Sequence, residues 1–151
     1  IGQAAGESYV AAEALCDLAG TQILQGDLHK AAASCREALR LAEDHVRRGG
    51  RRLPVAGFAH ARLSAVLWEW NDLDAAMHHA KEGLELCQQW GQADVLITCY
   101  TTLAAILQAV GDIDRAREAI KQALHDHLPE RHRKLLGMNY EAMDKGAALV
   151  Q

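Results

Sequence analysis

Proline and aromatic residues are scarce in this chain: two of its 151 residues are proline and 5% are aromatic. Because proline breaks helix interiors, its scarcity leaves long windows in which helices can form without interruption. The sequence shows no secretory signal peptide and no apolar run of membrane-spanning length, so we expect a cytoplasmic protein without contact to a membrane. It also lacks an initiator methionine, and we therefore expect a fragment of a longer chain.

Closely spaced cysteine pairs, as found in zinc sites, are absent as well. The four cysteines stand alone, and three of them fall on apolar helical stripes, where free cysteine behaves as a small hydrophobic residue. We therefore expect reduced thiols rather than a disulfide framework. A net charge of −4 and a pI near 6.0 argue against a surface that contacts nucleic acid directly.

Hydrophobic residues make up half of the chain, and a turn signal recurs three times among them. Gly26-Asp27, Asn71-Asp72 and Gly111-Asp112 each follow one apolar helical segment and precede another, at steps of 45 and 40 residues. Gly26 can end the first helix in the left-handed conformation, and Asp27 is expected to cap the next helix with its carboxylate. Repeats of this length predict an all-α fold, an α-solenoid of antiparallel helix pairs.

The repeat arithmetic predicts one helical-repeat domain over residues 1–151. Its last helix is predicted to be the first half of a fourth repeat. The predicted repeats cover about 7–47, 54–91 and 93–128, with a terminal helix over about 130–150. The predicted helices cover about 7–25, 28–46, 55–70, 73–90, 93–110 and 113–127.

Small residues recur at matching positions of the three copies, where we expect helices to cross. Leucines at a second set of positions are expected to fill the space between layers, and adjacent repeats then stabilise one another. Gly83 departs from the alanine at its position and is expected to loosen the pattern. The aligned sets are Ala31, Ala76 and Ala116; Ala38, Gly83 and Ala123; and Leu18, Leu63 and Leu103.

This small–large pattern around a Gly/Asn-Asp turn resembles the tetratricopeptide repeat in its longer, 40-residue form. Within that class, the segments Leu67-Trp68-Glu69-Trp70-Asn71-Asp72-Leu73 and Gly83-Leu84-Glu85-Leu86-Cys87 resemble the large ATP-dependent bacterial transcriptional activators of the LuxR type, such as maltose-gene activators. The resemblance covers residues 7–128. It implies an ATPase module before this segment, a helix-turn-helix domain after it, and a sensor role for the segment itself. The chain contains no phosphate-binding loop and no basic recognition helix, which fits the middle part of such a protein.

The tetratricopeptide geometry implies that the first helix of each pair lines a concave groove. Phe58, Ala61, Ala65 and Trp68 recur at helical spacing and so share one stripe. Such a groove suits an amphipathic or extended peptide, or a small polar ligand such as a sugar stacked on Trp68. The predicted binding residues are Phe58, Ala61, Arg62, Ala65, Trp68, Glu69, Thr101 and Gln108. Further groove positions are Glu13, Cys16, Ile23, Thr98, Thr102 and Ala105.

A structural interpretation stands beside this one: an aromatic residue on an Ala/Leu helix is usually part of a core. Trp68 and Phe58 would then pack only against the next repeat. Trp70 and Trp90, both near helix ends, are predicted to be packing anchors.

Three further features could mark a site. His125, His127 and His132 surround a proline turn and could converge with Asp126 or Glu130, but zinc-site spacing is missing, and we expect no metal and no cofactor. The four arginines of residues 47–52 could bind an anion or form a solvated basic loop; no glycine-rich phosphate motif accompanies them. The serines lie on helices without a catalytic motif, so we expect no enzyme.

We therefore expect a ligand- or protein-binding and oligomerisation segment of a cytoplasmic transcriptional regulator, without catalytic or DNA-binding activity of its own. Its partner would be a protein or a small-molecule inducer in the groove, and the segment could self-associate. The alternative is a general tetratricopeptide scaffold that binds a partner peptide within an unrelated multiprotein assembly.

Overall fold

A computed structural model describes residues 2–91 and 93–148. Within these ranges the chain is helical and contains no β-strand, which confirms the all-α prediction. The helices are α1 (Gly2–Leu24), α2 (Leu28–Arg47), α3 (Val55–Glu69), α4 (Leu73–Trp90), α5 (Ala93–Ala109), α6 (Ile113–His127), a 3-10 helix (Glu130–Leu135) and α7 (Leu136–Ala148). None of the described helices is long and apolar enough to cross a membrane.

The first six helices form three pairs: α1 with α2, α3 with α4, and α5 with α6. The second helix of each pair also packs against the first helix of the next pair. In addition, α3 packs against both α1 and α5, so the three first helices lie side by side in one layer. This is the predicted α-solenoid, and it places one helix from every pair on a shared surface.

Left-handed residues end the first helix of each pair, as the repeated turn signal predicts. Gly26, Asn71 and Gly111 have φ values of 78°, 59° and 83°. The amide of the following aspartate then reaches back to the carbonyl five residues earlier, at 2.8–3.0 Å, and this bond satisfies one of the helix's free C-terminal carbonyls. The same tight turn therefore reverses the chain in all three pairs.

The aspartates after these turns differ in their contacts. Asp72 and Asp112 accept backbone N–H bonds from Ala75 and Arg115, at 3.3 and 3.2 Å. Asp27 makes no such cap, and the prediction for it is wrong. Its carboxylate accepts a hydrogen bond from Lys30 Nζ at 2.8 Å instead, since a lysine one turn away offers it a charged donor.

Buried small residues let the helices approach closely. Ala31, Leu63, Ala76 and Ile106, which come from α2, α3, α4 and α5, belong to one buried cluster. The cluster therefore joins all three pairs, and the predicted crossing position Ala76 lies inside it.

Gly83 departs from the sequence pattern but lies where the alignment predicts a helix crossing. A Cβ added at this glycine would lie 3.1 Å from the backbone nitrogen of Ala61, 3.3 Å from the carbonyl oxygen of Gly57 and 3.3 Å from the sulfur of Cys99. The backbones of α3 and α4 thus meet at Gly83 with no room for a methyl group.

Two predicted packing residues are largely exposed. Leu18, aligned with the buried Leu63, is 47% exposed because no described helix covers its side of α1. Trp90 is 43% exposed at the end of α4, so its prediction as a packing anchor is wrong. Trp70 does pack: it lies against the main buried cluster and stacks on His29, with ring centroids 4.8 Å apart.

The last helix begins later than predicted, at Leu136 rather than at about residue 130. Residues 130–135 form a 3-10 helix in which no side chain is buried, and α7 starts only at Leu136. This charged stretch has no apolar face that packs against the other helices, and it remains in the tighter 3-10 conformation. The first bond of that conformation is donated by His132 N–H to the carbonyl oxygen of Pro129 at 2.8 Å. Residues 149–151, where the predicted helix ends, lie outside the described residues.

The helix α7 attaches to α6 through polar contacts. Tyr140 O–H donates to the carbonyl oxygen of Lys121 at 3.1 Å, and Lys121 Nζ forms an ion pair with Asp144 at 3.1 Å. Tyr140 thus lies against the preceding second helix.

Replacement of Ala76 by leucine tests the helix-crossing assignment. We expect A76L to lower the free energy of unfolding by about 1–3 kcal/mol, because the added carbons must displace close-packed neighbours. Urea denaturation measures the change. The matched control is A33L on the exposed side of α2, which should be nearly neutral; equal stability of the two variants would contradict the assignment.

Candidate functional site

Three connected depressions run along the layer of first helices, and we call them together the first-helix groove. The largest has a volume of about 780 Å³ and lies between α1, α3 and the start of α5. Next to it lies a depression of about 250 Å³ around Trp68, and then one of about 310 Å³ between α5 and α6. Ile23 and Ala65 line both of the first two, and Thr101 and Ala105 line both of the last two. The surface is therefore continuous across all three helix pairs.

The structure places all eight predicted binding residues along this groove. Phe58, Ala61, Arg62 and Ala65 line the large depression. Ala65, Trp68, Glu69 and Thr101 line the middle one, and Thr101 and Gln108 line the third. The further predicted positions Glu13, Cys16, Ile23, Thr98, Thr102 and Ala105 also line one or more of the three. Their shared location is a structural fact, and their binding role stays a prediction.

The two groove aromatics differ in how much of them is available to a ligand. Trp68 is 37% exposed and faces the middle depression, so it does not serve only to pack one repeat against the next. Phe58 is half-buried and packs against a cluster that includes Ala12, Val55 and Ala59, while one side of it lines the large depression. The packing interpretation thus holds in part for Phe58 and not for Trp68.

Arg62 is the charged side chain at the centre of the large depression. Its guanidinium lies over Gly20 of α1: a Cβ added there would be 3.0 Å from Arg62 Nε and 3.1 Å from Nη2. The nearest carboxylate is that of Asp17, 3.9 Å from Nη2, a separation too long for a hydrogen bond. Glu13 also lines this part of the groove. The depression therefore combines one cation and two acidic side chains above an apolar floor.

The thiols beneath the groove are not activated for chemistry. Cys16 is buried, and its sulfur lies 3.8 Å from the carbonyl oxygen of Val55. Burial is the main cause that raises the pKa of Cys16 to about 12 and that of Cys35 to about 11. Both are therefore protonated at neutral pH, and a thiol in that state is a poor nucleophile. They act as small apolar side chains that support α1 and α2.

A second cavity, the second-helix pocket, lies on the other side of α3 between α2 and α4, with a volume of about 540 Å³. The long 48–54 connection contributes Arg52 and Leu53 to it. His60 and His78 also line it, and His60 Nδ1 lies 2.8 Å from Nδ1 of His79. Burial, followed by the neighbouring His79, lowers the pKa of His60 to about 4. The sequence analysis did not predict this pocket. The one sequence feature that indicates it is the first repeat step of 45 residues, because the extra residues form the connection that lines the pocket.

The arginines of this connection have different surroundings. Arg47 is hydrogen-bonded to Asp44 on the same helix, while Arg51 and Arg52 are exposed. Only Arg47 and Arg52 line the second-helix pocket, beside Glu43 and Glu82. Opposite charges are thus mixed around it, and the arginines do not converge on one point as an anion site would require.

One member of the histidine cluster near residue 129, His125, joins a structural hydrogen-bond network around Asp126. Asp126 accepts hydrogen bonds from Tyr100 Oη at 2.9 Å and from Gln122 Nε2 at 2.8 Å, and it lies 3.1 Å from His125 Nδ1. This network links α5 to α6. Within residues 2–91 and 93–148, no three His, Cys, Asp or Glu side chains are arranged to hold a metal ion.

Several residues that line the groove were missed in the sequence, among them Asp17 and Gly20, the two that lie next to the Arg62 guanidinium. These two stand 45 residues before Arg62 and Ala65, the length of the first repeat step, so the same alignment could have identified them. It could not have shown that Arg62 crosses to α1, because side-chain contacts between repeats depend on the helix spacing.

Comparison with known families identifies the class of repeat. The family model described as "MalT-like TPR region" matches residues 1–131, which is most of the chain. No solved structure matches the chain significantly.

Similar proteins among curated sequences are bacterial regulators. The chain is 34% identical over 74 residues to the "HTH-type transcriptional regulator MalT" of Vibrio cholerae, over 49% of this chain and 8% of that protein. It is 33% identical over 101 residues to the regulator of the same name from Yersinia pestis, over 66% of this chain and 11% of that protein. The matched part is thus about a tenth of the length of these relatives.

Acidification should destabilise the fold through His60. Its pKa of about 4 in the folded chain lies below the value of about 6.5 for an unfolded chain, so unfolding takes up a proton between these pH values. The contribution of neutral His60 to the stability of the fold is complete above pH 6.5 and is lost as the pH falls towards 4. Between pH 7 and pH 5 we expect a loss of about 1–2 kcal/mol in the free energy of unfolding.

Urea denaturation at the two pH values measures this loss. The variant H60Q should show a smaller difference between pH 7 and pH 5 than the unmodified chain. H127Q, at an exposed position, is the control and should retain the full difference. An unchanged pH dependence in H60Q would show that His60 is not the group responsible.

Proposed function

The chain belongs to the MalT-like TPR region family, and from this premise we propose that it is the sensing segment of a bacterial transcriptional regulator. In this proposal the first-helix groove takes up a small-molecule inducer or a protein partner. ATP binding and DNA binding belong to other parts of the regulator, which acts in the cytoplasm. The segment itself acts by binding and carries out no catalysis.

The continuous groove is the observation that carries the proposal. Its largest depression, of about 780 Å³, falls within the range of small-molecule sites, roughly 300–1,000 Å³. Apolar residues form the floor, and a few polar groups (Arg62, Thr98 and Thr101) surround it. An exposed Trp68 provides a flat face on which a sugar ring or an apolar side chain can stack.

Sensing would work through the packing of the helix pairs. A ligand in the groove touches first helices from different pairs, and it therefore favours the relative arrangement of those pairs that it fits best. Neighbouring pairs meet through close contacts such as Gly83 of α4 against Cys99 of α5, so a shift in one pair is passed to the next. A changed arrangement would then alter the surface that is available for self-association.

Replacement of Trp68 tests the proposed site. Sugars and short peptides are first screened against the chain by thermal shift, and the affinity of each ligand found is measured by calorimetry. We expect W68A to weaken binding by about tenfold or more, because the ligand loses its stacking surface. The melting temperature should change little, since Trp68 is partly exposed.

The matched control is W90A, which removes a tryptophan of similar exposure outside the groove. It should leave the affinity unchanged. Equal affinities of W68A and the unmodified chain, or a larger loss in W90A, would contradict the proposed site. A complete lack of binding at millimolar concentrations would contradict a sensing role for this segment.

A further inference from the structure

Arg62 has more hydrogen-bonding capacity than the protein uses. Its side chain is only 29% exposed, yet its guanidinium forms no hydrogen bond with the described residues. Its one ionic contact is the 3.9 Å approach to Asp17, whose own side chain is 78% exposed. An ion pair that long, with one partner in solvent, contributes little to stability. Five N–H donors are therefore held at the centre of the large depression without an acceptor.

Arg40 is an arginine of this chain whose guanidinium donors are paired with carboxylates. It donates to Glu37 at 2.8 and 2.6 Å and to Asp44 at 2.6 Å, all on the surface of α2. Arg62 instead turns towards α1, where Asp17 approaches it to 3.9 Å without forming a hydrogen bond. This long ion pair leaves the donors of the guanidinium available to a ligand.

Gly20 lies directly beneath the Arg62 guanidinium. A Cβ at residue 20 would lie 3.0–3.4 Å from three atoms of the guanidinium, so the end of the arginine side chain would have to shift by a few tenths of an ångström. A glycine inside a helix is unfavourable relative to alanine. The chain thus carries an unfavourable residue in α1 at the place where the Arg62 guanidinium rests.

We propose that Arg62 binds a carboxylate group of a small-molecule ligand in the first-helix groove. This inference rests on the proposed function and adds the chemical class of the ligand. The planar guanidinium matches the two oxygens of a carboxylate, and partial burial strengthens such a charge-assisted pair. Phe58, Ala61 and Ala65 supply the apolar floor for the body of the ligand.

The two acidic side chains beside Arg62 refine the ligand class. Glu13 and Asp17 are exposed, so water screens their repulsion of an anion. Both can accept hydrogen bonds, and a ligand with a hydroxyl or amino group next to its carboxylate would satisfy them as well. The groove therefore fits hydroxy or amino carboxylates with an apolar body better than it fits simple anions.

Hexanoate and its neutral counterpart hexanamide test the carboxylate requirement on the intact 151-residue chain. Nuclear magnetic resonance follows the Nε–Hε signal of Arg62 during titration. We expect a saturable shift with hexanoate and about tenfold weaker binding of hexanamide. The Nε–Hε signal of Arg40, which is already bonded to Glu37, should not move. Equal binding of the two compounds, or no saturable shift, would overturn the inference.

Two variants complete the test. R62Q should reduce hexanoate binding by about tenfold or more and should affect hexanamide little. G20A should weaken hexanoate binding less than R62Q does, because the guanidinium has to shift by only a few tenths of an ångström. The melting temperature should stay equal or rise, since alanine favours the helix. Unchanged hexanoate affinity in either variant would contradict the role of Arg62 or of its support by Gly20.

The results also separate this inference from the proposed function. If other ligands bind in a Trp68-dependent manner and hexanoate does not, the groove is a binding site and the carboxylate assignment is wrong. If hexanoate binds through Arg62 and the screen of sugars and peptides finds nothing, the carboxylate site stands and the ligands of the proposed function need revision.

Discussion

Close contact between helices at small residues is the constraint on which the structure depends. Gly83 leaves no space for a methyl group between α4 and its neighbours, and Ala76 lies in a cluster that joins all three pairs. Because these contacts fix the distance between pairs, they also fix the distance between α1, α3 and α5. The depth of the first-helix groove, and the reach of Arg62 across to Gly20, follow from that spacing. Packing inside the solenoid thus defines the site on its surface.

Local signals made the helices predictable. A left-handed residue followed by aspartate ends one helix and begins the next, and these signals place α4 and α6 at their observed bounds. The groove residues were predictable for a related reason, since repeat alignment and helical spacing together assign a face to each position. Asp17 and Gly20 were within reach of the same alignment.

Features that depend on which partner a side chain meets were not predictable. The Asp27 carboxylate binds Lys30 rather than the backbone N–H groups of the next helix. The close packing at Gly83 depends on the α3 backbone, which lies beside it only in the folded chain. The 3-10 helix before α7 reflects a stretch that buries nothing, which helical propensity alone does not reveal. The second-helix pocket arises where a long connection meets α2 and α4, so it belongs to no single segment of the sequence.

Mapping of a bound ligand by nuclear magnetic resonance tests the assignment of the groove most directly. The chain is titrated with the strongest ligand from the thermal-shift screen, and backbone amide shifts are compared between the two sides of the solenoid. If the first-helix groove is the sensing surface, the largest changes will lie at Ala61, Ala65, Trp68 and Thr101 of α3 and α5. Changes concentrated instead on the second helices, at residues such as Glu43 and Glu82 around the second-helix pocket, would contradict it.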